Sequence, residues 1–107
     1  FVFCDDVATA CLALLEEVSL DVSLPFNITS EEEVSIEELA RCIASVVDYK
    51  GTINYDRSKP DGTSRKAIDG KRMRDIRWRA KIRLEDGVAK TYEWYVKSKW
   101  LEQAPQI

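Results

Sequence analysis

The sequence predicts an α+β chain, mostly helical, with about four helices and two or three short strands. Three observations carry that reading. Ser35 and Glu38 stand at capping-box spacing before a run with one clean apolar face. Two further runs, beginning near Val7 and Leu84, keep the helical period. Thr52–Asp56 alternates instead, and Phe26-Asn27-Ile28-Thr29 after Pro25 reads as a shorter extended piece.

In chain order, Asp5 or Asp6 is expected to cap a first helix whose apolar positions are Val7, Cys11, Leu14, Leu15 and Val18. Capping is the preferred role for this carboxylate pair over acid–base or metal chemistry, because the pair sits directly before a helical run. Glu31-Glu32-Glu33 precede the second helix, where negative charge is favoured. That helix opens on Ser35 and Glu38, flanked by Val34 and Leu39 at staple positions. It runs through Ile36, Leu39, Ala40, Ile43, Val46 and Val47 and stops near Lys50-Gly51. Thr52–Asp56 places Ile53 and Tyr55 on one side of a strand.

The segment Lys59-Pro60-Asp61-Gly62-Thr63-Ser64-Arg65-Lys66 has no hydrophobic pattern and reads as a rigid, exposed turn. Pro presets φ, and Gly is expected to take a positive φ. The turn ends on two adjacent cations, equipment suited to a phosphate, although an ordinary surface turn has the same composition. Met73 and Ile76 mark a short helical turn after Asp69 that ends near Trp78. Leu84, Val88, Thr91, Tyr92 and Tyr95 mark a final helix. Gly87 inside that helix costs roughly 1 kcal/mol against Ala and points to a close backbone contact. Arg83 stands where a capping residue is wanted. Residues 100–107 read as a flexible tail.

The 107 residues amount to one small domain, 1–107, with a modest core. No apolar run approaches a membrane span and no signal peptide is visible, so the reading is a cytoplasmic protein without membrane contact. The first residue is Phe rather than Met, which suggests a part of something longer. Cys4, Cys11 and Cys42 are odd in number and lack paired spacing; they read as reduced, buried small hydrophobes. With no histidine and no Cys-x-x-Cys, a metal site and the Ser-His and Cys-His nucleophile pairs are disfavoured.

Charge is strongly segregated. Residues 1–56 carry 12 acidic and 2 basic side chains, whereas residues 57–83 carry 11 basic and 3 acidic. Such a chain has an anion partner, an internal acidic surface, or both. A nucleic-acid partner is disfavoured because the rest of the chain is acidic and no recognition motif is present. Tyr92, Trp94, Tyr95 and Trp100 read as core packing rather than a base-stacking platform. Tyr-x-x-x-Lys spacing occurs at Tyr55/Lys59 and Tyr95/Lys99, and chance accounts for both. No glycine-rich dinucleotide loop exists.

Phe1-Val2-Phe3-Cys4-Asp5-Asp6, Glu33-Val34-Ser35-Ile36-Glu37-Glu38-Leu39-Ala40, the 59–66 loop and Thr91-Tyr92-Glu93-Trp94-Tyr95, in that order, resemble the C-terminal part of the GDP-L-fucose synthase family. These are extended short-chain dehydrogenase/reductases. The Asp-Asp segment and the capping run recur across sugar-nucleotide epimerases, whereas the Lys-Pro-Asp-Gly-Thr-x-Arg-Lys loop is more particular to this family. Ser64 departs from the family's usual Pro, and Gly70-Lys71 from its usual small helix-starting pair.

The resemblance implies a substrate-binding portion of an extended short-chain dehydrogenase/reductase fold without its Rossmann cofactor domain. The family converts GDP-4-keto-6-deoxymannose to GDP-L-fucose by epimerisation and NADPH-dependent reduction. The family's aspartate and second loop cation, which contact the GDP-sugar, fall on Asp61 and Lys66. Arg65 is added as a neighbouring candidate on physical grounds. NADPH and the catalytic residues are implied for the complete enzyme, so this chain alone is expected neither to bind NADPH nor to catalyse. The alternative is a stand-alone module using the same scaffold for protein or anion binding. The resemblance also implies that the segment near Phe26–Ile28 pairs with a cofactor-domain sheet on which the first two helices pack. Without that sheet, a strand edge and helix faces containing Leu14, Leu15 and Val18 are left open, which predicts a homodimer or larger homo-oligomer.

Overall fold

The computed structural model describes residues 1–17, 21 and 23–98. They form four helices: α1 (Cys4–Glu16), α2 (Ile36–Val46), α3 (Lys71–Asp75) and α4 (Leu84–Lys97). The expected helix count holds, but no strand occurs among the described residues. A strand needs a neighbouring chain to complete its hydrogen-bond ladder, and neither extended piece finds one. Phe26 and Ile28 instead turn toward the core, while the Arg72 guanidinium donates to the carbonyls of Leu24, Pro25 and Asp21. Arg72 also lies 3.8 Å from the centre of the Phe26 ring. At 52–56 the chain is irregular, and Tyr55 is exposed.

The α2 N-terminus forms as the sequence requires. Ser35 Oγ accepts from the Glu38 N–H at 3.1 Å, and Glu38 Oε2 accepts from the Ser35 N–H at 2.7 Å. The helix stops before Gly51 because Asp48 takes the left-handed conformation, φ 56°. The N–H of Tyr49 then reaches the Ala44 carbonyl and that of Asp48 the Ser45 carbonyl, which is a Schellman termination. α3 closes in the same way on Arg77, φ 62°, with the Trp78 N–H on the Met73 carbonyl at 2.9 Å.

Among the described residues, Ala10, Met73 and Trp78 are the buried hydrophobic ones, ringed by Ala13, Leu14, Phe26, Ile28, Ile76 and Ala80. The core therefore lies between α1, α3 and the 26–28 segment. Trp78 Nε1 donates to Thr9 Oγ1 at 3.1 Å, and no buried side-chain donor is left without a partner among the described residues. Asp5 and Asp6 do not cap α1: its N-cap is Phe3, and both aspartates lie within the first turn. Asp6 is only 3% exposed and accepts from the N–H groups of Lys81 at 3.1 Å and Ile82 at 2.9 Å. It tethers the start of α1 to a segment 75 residues away.

Gly87 shows the close contact expected of it, since a Cβ there would lie 3.2 Å from Phe3 Cδ2. The cysteines depart from expectation: Cys4 and Cys11 are exposed, Cys42 is half-buried, and all three are free thiols. Cys4 and Cys11 lie off the α1 face that holds Ala10, so helical spacing alone overstates their burial. Leu14 is partly covered by the core, whereas Leu15 is 82% exposed. Val18, Lys99, Trp100 and the expected tail at 100–107 lie outside the described residues.

Candidate functional site

Residues 57–69 are exposed and without regular secondary structure. The turn expected at Pro60-Asp61-Gly62 does not form there, and no glycine has a positive φ. Proline biases Lys59 toward extended backbone, and the chain reverses earlier, at Arg57–Ser58. Asp56 makes that turn by accepting from the Ser58 N–H at 2.9 Å and the Ser58 hydroxyl at 2.6 Å. These bonds hold the Asp56 carboxyl below its ordinary pKa. A Cβ on Gly62 would meet nothing within 4 Å, so the loop is open on that side.

The three candidate side chains fall into two groups. Asp61 and Lys66 are exposed and make no hydrogen bond or ion pair among the described residues. Arg65 is engaged: its Nη2 donates to Glu33 Oε1 at 2.6 Å and its Nε to Glu33 Oε2 at 2.9 Å. This side-on, two-point pairing lowers the Glu33 carboxyl pKa and raises that of the guanidinium, chiefly through the hydrogen bonds themselves. Glu33 therefore gives up its proton more readily than a free glutamate, and the pair persists at neutral pH.

Glu33 belongs to a run that behaves differently from its sequence reading. Glu31, in the left-handed conformation (φ 58°), pairs with Arg74 on α3. Glu32 Oε2 accepts from the Leu84 N–H at 3.3 Å. Leu84 is the first residue of α4, so Glu32 supplies from 52 residues away the capping acceptor that Arg83 cannot. Successive glutamates thus join α3, α4 and the loop to the entrance of α2. The acid–base segregation of the sequence was the one sign of this internal pairing. It absorbs Arg65 and Arg74, while Lys71 pairs with Asp75 at 2.6 Å within α3.

A second feature is an apolar groove of about 520 Å³ between Phe1–Phe3, α2 and α4. Leu39, Ile43, Val88 and Tyr92 contribute to its lining. Trp94 is 60% exposed, and Tyr92 and Tyr95 are also exposed, so these aromatics border an open groove rather than fill a core. The apolar period of α4 identifies its interior-facing side without saying that another element covers it. Among the described residues no cluster of side chains could hold a metal, and no helix is long and apolar enough to cross a membrane.

Comparisons with known proteins give a consistent relationship. No protein-family model matches the chain. A putative GDP-L-fucose synthase 2 of Arabidopsis thaliana is 41% identical over 98 residues, which is 92% of this chain and 29% of that protein. GDP-L-fucose synthase of Escherichia coli K12 is 40% identical over 105 residues, 92% of this chain and 33% of that protein. GDP-L-fucose synthase of Sinorhizobium fredii is 43% identical over 96 residues, 90% and 30% respectively. The chain thus spans about a third of the length of the curated relatives it matches.

Proposed function

We propose, from the homology of this chain to the GDP-L-fucose synthases, that it supplies one wall of a GDP-sugar site in an NADPH-dependent epimerase/reductase. The observation that supports the reading is that Asp61 and Lys66, like Lys59 on the same loop, have no internal partner among the described residues. Asp61 and Lys66 are both exposed and lie on the loop whose sequence is most particular to the family. In this reading Lys66 donates a charge-assisted hydrogen bond to a phosphate or sugar oxygen, and Asp61 accepts from a sugar or base donor. Arg65 lies beside them with its Nη1 outside the Glu33 pairing.

The chain contributes binding and orientation, and NADPH, in the complete protein, supplies the hydride. The NADPH site and the residues that epimerise and reduce lie elsewhere in that protein. The competing reading, a stand-alone binding module, has no observation in its favour beyond exposure of the same loop.

The test is steady-state kinetics of the full-length protein with GDP-4-keto-6-deoxymannose and NADPH. Lys66→Ala is expected to raise KM with little change in kcat. Loss of a charge-assisted bond is worth about 1.5–3 kcal/mol, roughly a 10- to 150-fold effect. Asp61→Ala should act in the same direction. Unchanged kinetics in both variants would return the loop to an ordinary solvated turn.

A further inference from the structure

We propose that Glu33 is a positioning residue for the GDP-sugar loop, holding Arg65 so that residues 63–66 present Lys66 and the free edge of the guanidinium to the ligand. The inference rests on the reading of that loop as a substrate wall. Among the described residues, the only hydrogen bonds from 59–68 to the rest of the molecule are the two that Arg65 donates to Glu33. No strand, helix or apolar anchor fixes this stretch, and every residue in it is exposed. A loop so exposed is ordered by its few polar ties.

The geometry of the tie is favourable for orientation. Glu33 engages the Nε/Nη2 edge of Arg65 side-on, which fixes the plane of the guanidinium as well as its position. Nη1 is left available, and Lys66 follows immediately in the chain. Glu33 is itself well anchored, since Ser35, two residues on, is locked into the capping box of α2. The neighbouring Glu31 and Glu32 are tied to Arg74 and to the α4 N-terminus. Arg65 therefore reads its position from a rigid helix entrance rather than from its own loop. Both partners are largely exposed, 71% for Arg65 and 55% for Glu33, so the tie is modest in strength and its effect is on orientation.

The test uses the full-length protein and two readouts: ¹⁵N relaxation of the Thr63–Lys66 amides without ligand, and calorimetric titration with GDP. Glu33→Ala should lower the order parameters of these amides. It should also weaken GDP binding by about two- to five-fold, the range a surface ion pair carries, with kcat unchanged. The exchanged pair Glu33→Arg/Arg65→Glu should restore loop order but not GDP affinity, because a carboxylate then faces the phosphates. A purely structural role for Glu33 would recover both together. Unchanged loop order in Glu33→Ala overturns the proposal. So does lowered order with unchanged GDP affinity. In that second case Lys66→Ala separates the failures: if it too leaves GDP affinity unchanged, the loop is not a substrate wall, and if it weakens binding, Glu33 is a tether without a positioning role.

Discussion

Replacing Asp6 by alanine should remove much of the stability of this chain. The carboxylate is 3% exposed and accepts two backbone hydrogen bonds, from Lys81 at 3.1 Å and Ile82 at 2.9 Å. Hydrogen bonds to a charged group contribute about 1.5–3 kcal/mol each, so the pair amounts to roughly 3–6 kcal/mol. Alanine also leaves two N–H groups facing a partly buried site without an acceptor. Domains of this size are stable by only about 5–15 kcal/mol in total. Thermal unfolding followed by far-UV circular dichroism should show the midpoint falling by about 12 °C or more, at roughly 4 °C per kcal/mol. Asp6→Asn, which keeps one acceptor oxygen and turns an NH₂ toward the other donor, should lie between alanine and the parent. Asp5→Asn is the control, because Asp5 shares the first helical turn but is exposed. If the two aspartates acted only as helix-terminus charges, each would cost a similar amount, about 0.3–1 kcal/mol. Equal, small effects at both positions would refute the tether. The consequence extends beyond stability, since the apolar groove is lined by Ile82, whose amide is tethered, and by Arg83 and Leu84, which follow it.

Arg77 occupies the left-handed position that ends α3, so Arg77→Gly should stabilise the chain by about 1 kcal/mol in denaturant unfolding. Asp48→Gly at the matching position of α2 should gain less, because aspartate tolerates that conformation better. The isolated chain should form a homodimer or larger assembly, with Leu12, Leu15 and the rim of the α2/α4 groove supplying apolar contact. Light scattering at high micromolar concentration checks this, and a well-folded monomer would count against it.

What the sequence made legible was local. The α2 capping box lies within four consecutive residues, and its two reciprocal bonds form as the spacing requires. The helical period of 84–95 likewise placed α4, whose bounds are Leu84–Lys97. Features closed by distant residues stayed hidden. Arg83 reads as a poor cap because its substitute, Glu32, is 52 residues from the Leu84 amide that it caps. Asp6 reads as a cap because its partners are 75 and 76 residues away. Alternation at 52–56 and 26–29 predicted strands, yet alternation reports which side chains share a face and not whether another chain supplies the ladder. At the candidate site, exposure of the loop was readable. The pairing of Arg65 with Glu33 was not, because charge segregation signals that an internal partner exists without saying which acid meets which base.

The three glutamates before α2 show why that distinction matters for function. A helix dipole acts mainly within the first turn, and in α2 that turn already holds Glu37 and Glu38. Glu31–Glu33 lie ahead of the Ser35 cap, so the dipole gives little reason for three consecutive acids there. Their partners do: Arg74 on α3, the Leu84 amide of α4, and Arg65 of the loop. One short segment fixed at its far end by a capping box thus sets three otherwise separate pieces of chain. The left-handed backbone of Glu31 bends the run so that successive side chains leave in different directions, where a regular strand would send the first and third to the same face. The position of Lys66 is then inherited from the start of α2 through the Glu33–Arg65 pair, which places control of the proposed substrate wall at Glu33, a residue that does not itself touch the ligand.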